Sequence, residues 1–313
     1  MVKRSEIPFV SGVHASAQQQ WLEHLQAALP AHNVTPFRSD ADYADIDVAI
    51  VANPNPQHLK QMPNLRWVQS LWAGVEPLVS ELPMDVAVVR MTDPQLAQTM
   101  AEAVLTMTLS LHRDLPTYAA QQADRIWRPL PPVLAKDRKV GVLGLGHLGC
   151  AACDVLSAHG FDVRGWSRTP KSIPQVHCYA GEQGLTDLLR VVDILVVLLP
   201  LTDQTRGLLN KDCLSLLKPG ASLINFARAE VIDTDGLVAL LEAGQLAHAV
   251  LDVFETEPLP PAHRLWEVEN LTILPHISAP TNMQTAAEIV ARNISSYFAT
   301  GHVPNVVDRE KGY

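Results

Sequence analysis

The sequence predicts an α/β protein built from two Rossmann-like lobes, each a doubly wound parallel sheet covered by helices. Apolar runs of strand length alternate with segments of helical periodicity along most of the 313 residues. Near the middle, a glycine-rich turn joins an apolar run to a helical segment. This length and a hydrophobic fraction of 47% suffice for two domains with separate cores. We expect a flavodoxin-like first lobe, a second lobe carrying the glycine turn, and an active-site cleft between them.

The first lobe is predicted from alternating strands and a helix. The apolar runs that predict strands are Ile7–Val10, Val48–Ala52, Arg66–Leu71 and Val86–Arg90. Residues 18–29 have apolar side chains at helical spacing and are followed by Pro30. Residues 101–115 then predict a long helix that is apolar on nearly all sides, which favours burial between layers. Residues 118–135 lack a clean period, and we expect a helix that continues into an extended arm.

A second alternating series follows from Lys139. Strands are predicted at Lys139–Leu143, Phe161–Trp166, Ile194–Leu199, Ser222–Phe226, Ala247–Val253 and Leu271–Leu274. Helices are predicted at Leu148–His159, Leu185–Arg190, Thr234–Ala243 and Asn282–Ala299. We expect residues 1–99, completed by the C-terminal helix within 282–313, to form one domain and residues 100–281 to form the other.

Charge and segment composition exclude several classes of protein. The chain has 24 basic and 33 acidic residues and a net charge of −9, which argues against a broad nucleic-acid surface. No stretch reaches the ~20 apolar residues of a membrane-spanning helix, and the N-terminus lacks the apolar region of a secretory signal. We expect a cytoplasmic protein without nucleic-acid or membrane partners.

The four cysteines do not form a recognisable disulfide or metal motif. Cys150 and Cys153 have C-x-x-C spacing, which can be redox-active, but they fall inside a predicted helix without a second pair. Buried free cysteines pack as small apolar residues. We expect core packing for this pair, a reducing compartment, and no bound metal.

The glycine-rich turn has the pattern G-x-G-x-x-G at Gly144, Gly146 and Gly149, directly after an apolar strand and at the start of a helix. The first glycine permits the tight turn, the second lets a pyrophosphate approach the backbone, and the third lets helix and strand pack closely. The helix N-terminus offers unpaired N–H groups and a positive dipole end to phosphates. The second lobe is therefore predicted to bind a dinucleotide.

The end of the next predicted strand indicates which dinucleotide is bound. NAD sites place a carboxylate there to accept the ribose hydroxyl groups. Here Ser167 stands at that position, followed by Arg168, Thr169 and, two residues later, Lys171. A guanidinium suits a 2′-phosphate, and the missing carboxylate removes a repulsion. This pattern favours NADP(H), with NAD(H) as the alternative and a solvated loop arginine as the other interpretation of Arg168.

Several ordered motifs resemble one enzyme family. They are Gly144–Gly149, Asp193–Pro200 (DILVVLLP), Leu217–Gly220 (LKPG), Asn225–Arg228 (NFAR), Asp252–Glu257 (DVFETE) and Leu274–His276 (LPH). Together they resemble the D-isomer-specific 2-hydroxyacid dehydrogenases over the whole chain. Within that family, Leu71–Val75 (LWAGV), Gln95–Glu102 and Trp127–Leu130 (WRPL) are most similar to the short bacterial glyoxylate/hydroxypyruvate reductases of type A.

The resemblance assigns catalysis to Arg228, Glu257 and His276. Reduction of a 2-oxo acid adds a hydride to the carbonyl carbon and a proton to its oxygen. Imidazole titrates near neutral pH, so His276 suits proton donation, and Glu257 suits holding the imidazole in one tautomer. The planar guanidinium of Arg228 suits a substrate carboxylate and carbonyl.

The resemblance also implies further contacts. The expected cofactor contacts are Gly144, Gly146, His147, Leu148, Gly149, Ser167, Arg168, Thr169, Lys171, Leu199, Pro200, Ala227 and Asp252. The expected substrate contacts are Trp72, Ala73, Gly74, Arg228 and His276. Trp72 and Trp127 have two possible roles. Each either lines the substrate pocket or packs in the core. In this family, the helix and arm that correspond to residues 101–132 form the contact between two subunits related by two-fold symmetry. The resemblance therefore implies a homodimer.

The chain departs from the family pattern in two places. Ala229 stands where glycine often follows the arginine, and Ser278-Ala279-Pro280 replaces a glycine-rich stretch. Neither change removes a catalytic group. The sequence therefore predicts an NADPH-dependent reductase of small 2-oxo acids such as glyoxylate and hydroxypyruvate. The alternatives are an NAD(H)-dependent D-2-hydroxyacid dehydrogenase of other preference and a non-catalytic, cofactor-sensing binding protein.

Overall fold

The computed structural model of the chain describes residues 5–309. It divides into two compact units, one formed by residues up to Gln95 together with those from Thr281 onwards, and the other by Leu96–Pro280. Each unit is built on one parallel sheet. The predicted fold class, two parallel-sheet α/β lobes, is confirmed.

The first unit has a five-stranded parallel sheet in the order β2-β1-β3-β4-β5. Its strands are β1 (Glu6–Ser11), β2 (Asn33–Pro36), β3 (Val48–Ala52), β4 (Trp67–Ser70) and β5 (Ala87–Val89). Its helices are α1 (Ala15–Ala28), α2 (Pro56–Leu59), α3 (Glu76–Glu81) and, at the other end of the chain, α10 (Met283–Thr300). The strand order is that of the flavodoxin-like sheet.

The C-terminal helix α10 completes the core of the first unit. Val290 and Ile294 are fully buried and share one apolar cluster with Trp21 of α1. Polar contacts fix the position of the helix, because Asn293 Nδ2 donates to Gln69 Oε1 at 2.8 Å and Tyr297 Oη donates to Asp47 at 2.8 Å. The helix ends at Gly301, whose φ of +71° forms a left-handed C-terminal cap.

The second unit has a seven-stranded parallel sheet in the order β12-β11-β10-β9-β6-β7-β8. Its strands are β6 (Lys139–Leu143), β7 (Asp162–Ser167), β8 (His177–Ala180), β9 (Ile194–Val197), β10 (Ala221–Asn225), β11 (Leu246–Leu251) and β12 (Leu271–Ile273). Its helices are α4 (Pro94–His112, whose first turn begins in the other unit), α5 (Leu115–Ala123), α6 (His147–Ala158), α7 (Gly181–Leu189), α8 (Lys211–Leu214) and α9 (Thr234–Glu242). The order reverses between β6 and β9, and ligands of open α/β sheets bind at such a switch point.

Helix α4, which connects the two series, packs against the core of the second unit. Val104 and Leu111 are buried in this core, and Leu105 and Leu109 are partly buried against it. The predicted helix and extended arm after α4 are α5 and residues 124–134. No helix within residues 5–309 is long and apolar enough to cross a membrane.

Of the cysteine pair of α6, Cys153 packs in the core as expected, whereas Cys150 is only partly buried. Cys153 is fully buried in the apolar cluster beneath the helix, and burial raises the pKa of its thiol to about 12. Burial also raises the pKa of Cys150. All four cysteines are free thiols. A thiol with a raised pKa is a poor nucleophile, so the C-x-x-C spacing here has a packing role.

Candidate active site

The predicted catalytic and cofactor residues of the second unit follow the carboxyl ends of its strands. His276 follows β12, Glu257 follows β11 and Arg228 follows β10. The glycine turn follows β6, and Ser167 ends β7. Because the strands are parallel, these residues share one edge of the sheet. The three predicted catalytic residues come from one side of the switch point, and the glycine turn and Ser167 come from the other.

His276 and Glu257 form the central contact of this edge. Nδ1 of His276 lies 2.7 Å from Oε2 of Glu257, and Oε1 of Glu257 accepts the backbone N–H of Phe254 at 2.9 Å. An ionised carboxylate can only accept hydrogen bonds, so Nδ1 of the imidazole carries the proton of this bond. The side chain of His276 is 55% exposed, which leaves Nε2 accessible for chemistry.

The backbone around His276 is held by a buried carboxylate. His276 has a φ of +52°, a left-handed conformation that non-glycine residues rarely adopt. The next two N–H groups, of Ile277 and Ser278, donate to Oδ1 and Oδ2 of Asp252 at 2.7 and 2.9 Å. Asp252 is fully buried. Its predicted cofactor contact stays a prediction, and the structure adds a positioning role for which the sequence offers no signal beyond its place in the DVFETE motif.

Arg228 lies on a turn that two hydrogen bonds of the Asn225 side chain stabilise. Oδ1 of Asn225 accepts the N–H of Ala227 at 3.1 Å, and its Nδ2 donates to the carbonyl of Arg228 at 3.1 Å. Asn225 is 1% exposed, so both bonds are shielded from water. Nη1 of Arg228 donates to the carbonyl of Ala227 at 2.8 Å. Sequence reasoning quoted Asn225 within a motif but missed this positioning role.

The glycine turn has the geometry that a phosphate-binding turn requires. Gly144 has a φ of +100°, and a Cβ on Gly149 would lie 1.8 Å from the carbonyl oxygen of Gly144. A Cβ on Gly146 would meet nothing within 4 Å. Gly146 is also the N-cap residue of α6, and it makes no side-chain cap bond. The turn thus combines open space with a helix N-terminus, which suits a pyrophosphate.

The residues after β7 form a polar corner beside this turn. Ser167 is 9% exposed, and its Oγ donates to the carbonyl of Thr169 at 2.8 Å. Nζ of Lys171 donates to the carbonyl of Leu145 at 2.6 Å, which places an ammonium against the glycine turn. Nη1 of Arg168 donates to Oε1 of Gln204. No signal in the sequence singled out Gln204, because the contact joins residues far apart in the chain.

The remaining predicted cofactor contacts lie close to the same edge. His147 and Leu148 open α6, and His147 is exposed. Leu199 and Pro200 follow β9, with Leu199 mostly buried. Ala227 follows β10 and is 4% exposed, and its cofactor contact stays a prediction.

The predicted substrate contacts of the first unit follow β4. Trp72, Ala73 and Gly74 form the loop after this strand and are partly buried. The ring of Trp72 packs edge-on against Trp21, with centroids 5.9 Å apart. Trp127, in the arm of the second unit, is 99% exposed, so core packing within its own chain is excluded for it.

Comparison with known proteins identifies the family. The model of the D-isomer-specific 2-hydroxyacid dehydrogenase NAD-binding domain matches residues 105–278, which include the glycine turn, Arg228, Glu257 and His276. The chain belongs to the D-isomer-specific 2-hydroxyacid dehydrogenase family. The predicted resemblance is confirmed.

Relatives of this dehydrogenase family cover almost the whole chain. A glyoxylate/hydroxypyruvate reductase A of Serratia proteamaculans is 39% identical over 302 residues, which cover 94% of this chain and 96% of that protein. A D-isomer-specific 2-hydroxyacid dehydrogenase of Xanthobacter autotrophicus, solved with NADPH and MES, matches with a TM-score of 0.92 and 42% identity over 99% of this chain and 100% of that chain. An NADPH-dependent glyoxylate/hydroxypyruvate reductase of Sinorhizobium meliloti, solved with NADP and sulfate, matches with a TM-score of 0.91 and 32% identity over the same shares.

Proposed function

We propose that this dehydrogenase reduces small 2-oxo acids, glyoxylate and hydroxypyruvate first among them, to D-2-hydroxy acids with NADPH. The observation that carries the proposal is the 2.7 Å contact between His276 Nδ1 and Glu257 Oε2 at the carboxyl edge of the sheet. This contact fixes an imidazole with its other nitrogen accessible, which is the arrangement a proton donor needs. The reductases of Serratia and Sinorhizobium described above support the substrate class.

Proton transfer is the step that His276 performs. Its imidazolium donates the Nε2 proton to the carbonyl oxygen of the substrate as the carbonyl carbon is reduced. The proton on Nδ1 stays in the bond to Glu257, whose carboxylate stabilises the charged imidazole before the transfer. The held backbone at Ile277 and Ser278 keeps the ring in place, since Asp252 accepts both N–H groups.

Arg228 and the loop after β4 are the parts of the chain that we propose to bind and orient the substrate. The guanidinium of Arg228 binds the substrate carboxylate and polarises its carbonyl, and the Asn225 bonds fix the turn that carries it. In the first unit, the family resemblance implies that the backbone of Ala73 and Gly74 contacts the substrate and that Trp72 limits its size.

The cofactor proposal rests on how the second unit fits NADP(H). The open space at Gly146 and the uncapped N-terminus of α6 suit the pyrophosphate. Arg168 and Lys171 suit a 2′-phosphate, and no carboxylate ends β7. When bound, the reduced nicotinamide supplies the hydride. The NADPH and NADP complexes of the Xanthobacter and Sinorhizobium proteins support this choice.

A homodimer is part of the same proposal. The arm after α5 exposes large apolar side chains, with Trp127 at 99% and Leu134 at 61% exposed. Leu115 at the start of α5 is 54% exposed. Apolar surface of this kind on one segment marks an interaction site. A second copy of the chain is the partner that the family resemblance implies.

The test compares cofactors and substrates in one assay. Oxidation of NADPH and of NADH is followed at the reduced-nicotinamide absorbance band with glyoxylate, hydroxypyruvate and pyruvate. Fast oxidation of NADPH and slow oxidation of NADH supports the proposal. A preference for NADH contradicts the cofactor assignment alone, whereas no oxidation with any substrate contradicts the reductase.

A further inference from the structure

One long-range contact crosses the nucleotide edge of the second unit. Nη1 of Arg168, which follows β7, donates to Oε1 of Gln204, which follows β9. Strands β7 and β9 lie on opposite sides of β6, so the pair meets across the carboxyl end of β6, where the glycine turn begins. Two strand spacings amount to about 10 Å, a distance that two long side chains can bridge.

Both ends of this bridge stand on hydrogen-bonded turns. Oγ1 of Thr205 donates to the carbonyl of Pro200 at 2.6 Å and accepts the N–H of Thr202 at 2.8 Å. These bonds fix the loop that carries Gln204. On the other side, the bond from Ser167 to the carbonyl of Thr169 fixes the turn that carries Arg168. These bonds therefore fix the backbone positions of Arg168 and Gln204, although both side chains are exposed.

The chemistry of the pair leaves only donors facing outward. A guanidinium has no acceptor, so the amide of Gln204 must turn its oxygen toward Arg168 and its NH₂ group away. The amide is also neutral, so it orients the guanidinium without cancelling its charge. Arg164 on β7 differs, because it pairs with Asp162 at 3.0 Å. In the described part of the chain, no carboxylate lies within 4.0 Å of the Arg168 guanidinium.

We propose that Gln204 is a second determinant of cofactor specificity, which orients Arg168 and offers its own amide N–H groups to the 2′-phosphate of an NADP-type dinucleotide. This inference rests on the proposed use of NADPH and adds a residue to it. A phosphate with only acceptor oxygens matches a surface made only of donors. A carboxylate at position 204 would pair with Arg168, cancel its charge and face the phosphate with acceptors.

The test uses nucleotide fragments and measures binding instead of turnover. Calorimetric titration compares adenosine 2′,5′-bisphosphate with adenosine 5′-monophosphate, which differ only in the 2′-phosphate. Gln204→Glu is expected to weaken binding of the bisphosphate about tenfold or more and to leave the monophosphate unchanged. Gln204→Ala is expected to weaken bisphosphate binding a few-fold, since it removes the amide without adding a charge.

The matched control is Gln245→Glu. It adds the same charge to the same unit, but Gln245 precedes β11 and so lies at the opposite edge of the sheet. Gln245→Glu should leave the binding of both nucleotides unchanged. If it weakens bisphosphate binding as much as Gln204→Glu does, the added negative charge alone explains the loss, and the inference is overturned.

Two further outcomes separate this inference from the proposed cofactor. A wild-type chain that binds both fragments equally overturns the NADPH proposal and the role of Gln204 together. A wild-type preference for the bisphosphate that Arg168→Ala abolishes and Gln204→Glu retains overturns the role of Gln204 alone and leaves the NADPH proposal standing.

Discussion

His276 is the residue that we propose to donate the proton to the substrate carbonyl oxygen. His276→Asn is the informative substitution, because asparagine tolerates the left-handed backbone at this position. We expect kcat to fall by about 10²- to 10⁴-fold, the usual contribution of a general acid, while NADPH binding is unchanged. Steady-state rates and a cofactor titration test this.

The control for that substitution is His159→Asn, which changes a surface histidine of the same unit. It should leave kcat unchanged. Near wild-type turnover by His276→Asn would mean that the proton comes from another group.

Asp252 offers a test that separates a positioning residue from a cofactor contact. In Asp252→Asn, the amide NH₂ faces one of the two N–H groups that the carboxylate accepts, so one bond is lost. We expect kcat to fall about tenfold and stability to drop by about 1–3 kcal/mol. The KM for NADPH should change less than kcat. If only the KM for NADPH changes, Asp252 acts as a cofactor contact and not as a positioning residue. The control is Asp235→Asn, which makes the same change at an exposed site.

The proposed catalytic residues could be named from the sequence, whereas most of the contacts that support them could not. Arg228, Glu257 and His276 stand in ordered motifs, and the family resemblance of these motifs implies their roles. The roles of Asp252 and Gln204 depend on hydrogen bonds to residues far away in the sequence, which no local pattern encodes. Asn225 differs, because its bonds to Ala227 and Arg228 lie within one turn.

At the scale of elements, the glycine turn predicts two opposite mutational effects. Gly146→Ala places a Cβ in open space at an extended backbone, so the free energy of unfolding should change by less than about 1 kcal/mol. NADPH should nevertheless bind about tenfold more weakly, because the methyl group occupies the path of the pyrophosphate.

Gly149→Ala provides the contrast. Its Cβ would lie 1.8 Å from the carbonyl oxygen of Gly144, so the helix must shift and stability should fall by about 2 kcal/mol or more. Thermal unfolding and cofactor titration separate the two variants. Equal stability loss in both would contradict the assignment of Gly146 to ligand approach.

Element prediction failed where apolar periodicity is weak. The edge strands β2 and β8 were not predicted, since each is four residues long and neither is uniformly buried. The short helices α2, α3 and α8 were missed because they offer too few turns for a period. Helix α4 begins at Pro94, earlier than predicted, where Asp93 accepts the N–H of Gln95 at 2.9 Å and proline occupies the first turn.

At the scale of the whole molecule, the exposed arm predicts self-association. Trp127→Ala removes an almost fully exposed indole from the segment that we propose as the dimer contact. We expect the dimer dissociation constant to rise by about tenfold or more, as for loss of a buried aromatic anchor, when measured by light scattering across a dilution series. Trp266→Ala removes a tryptophan that is 53% exposed outside the arm and should not change association. A wild-type monomer at all concentrations would contradict the proposal.

The two-lobe architecture was predictable from the sequence because repeated strand and helix periods extend over the whole chain. Helix α10 was predictable from the amphipathic pattern of Asn282–Ala299 and from Gly301 after it, but this pattern does not encode which unit the helix joins. The proposed choice of cofactor depends on few residues, chiefly Arg168, Lys171 and Gln204.

The most direct test of the central claim is the fate of the hydride. The protein is incubated with glyoxylate and with NADPH that carries deuterium at both C4 positions of the nicotinamide, and the product is analysed by mass spectrometry. The account predicts glycolate with a single deuterium at C2, formed in equal amount to the NADP⁺ produced. NADPH consumption without labelled glycolate, or no reaction with either glyoxylate or hydroxypyruvate, would contradict it.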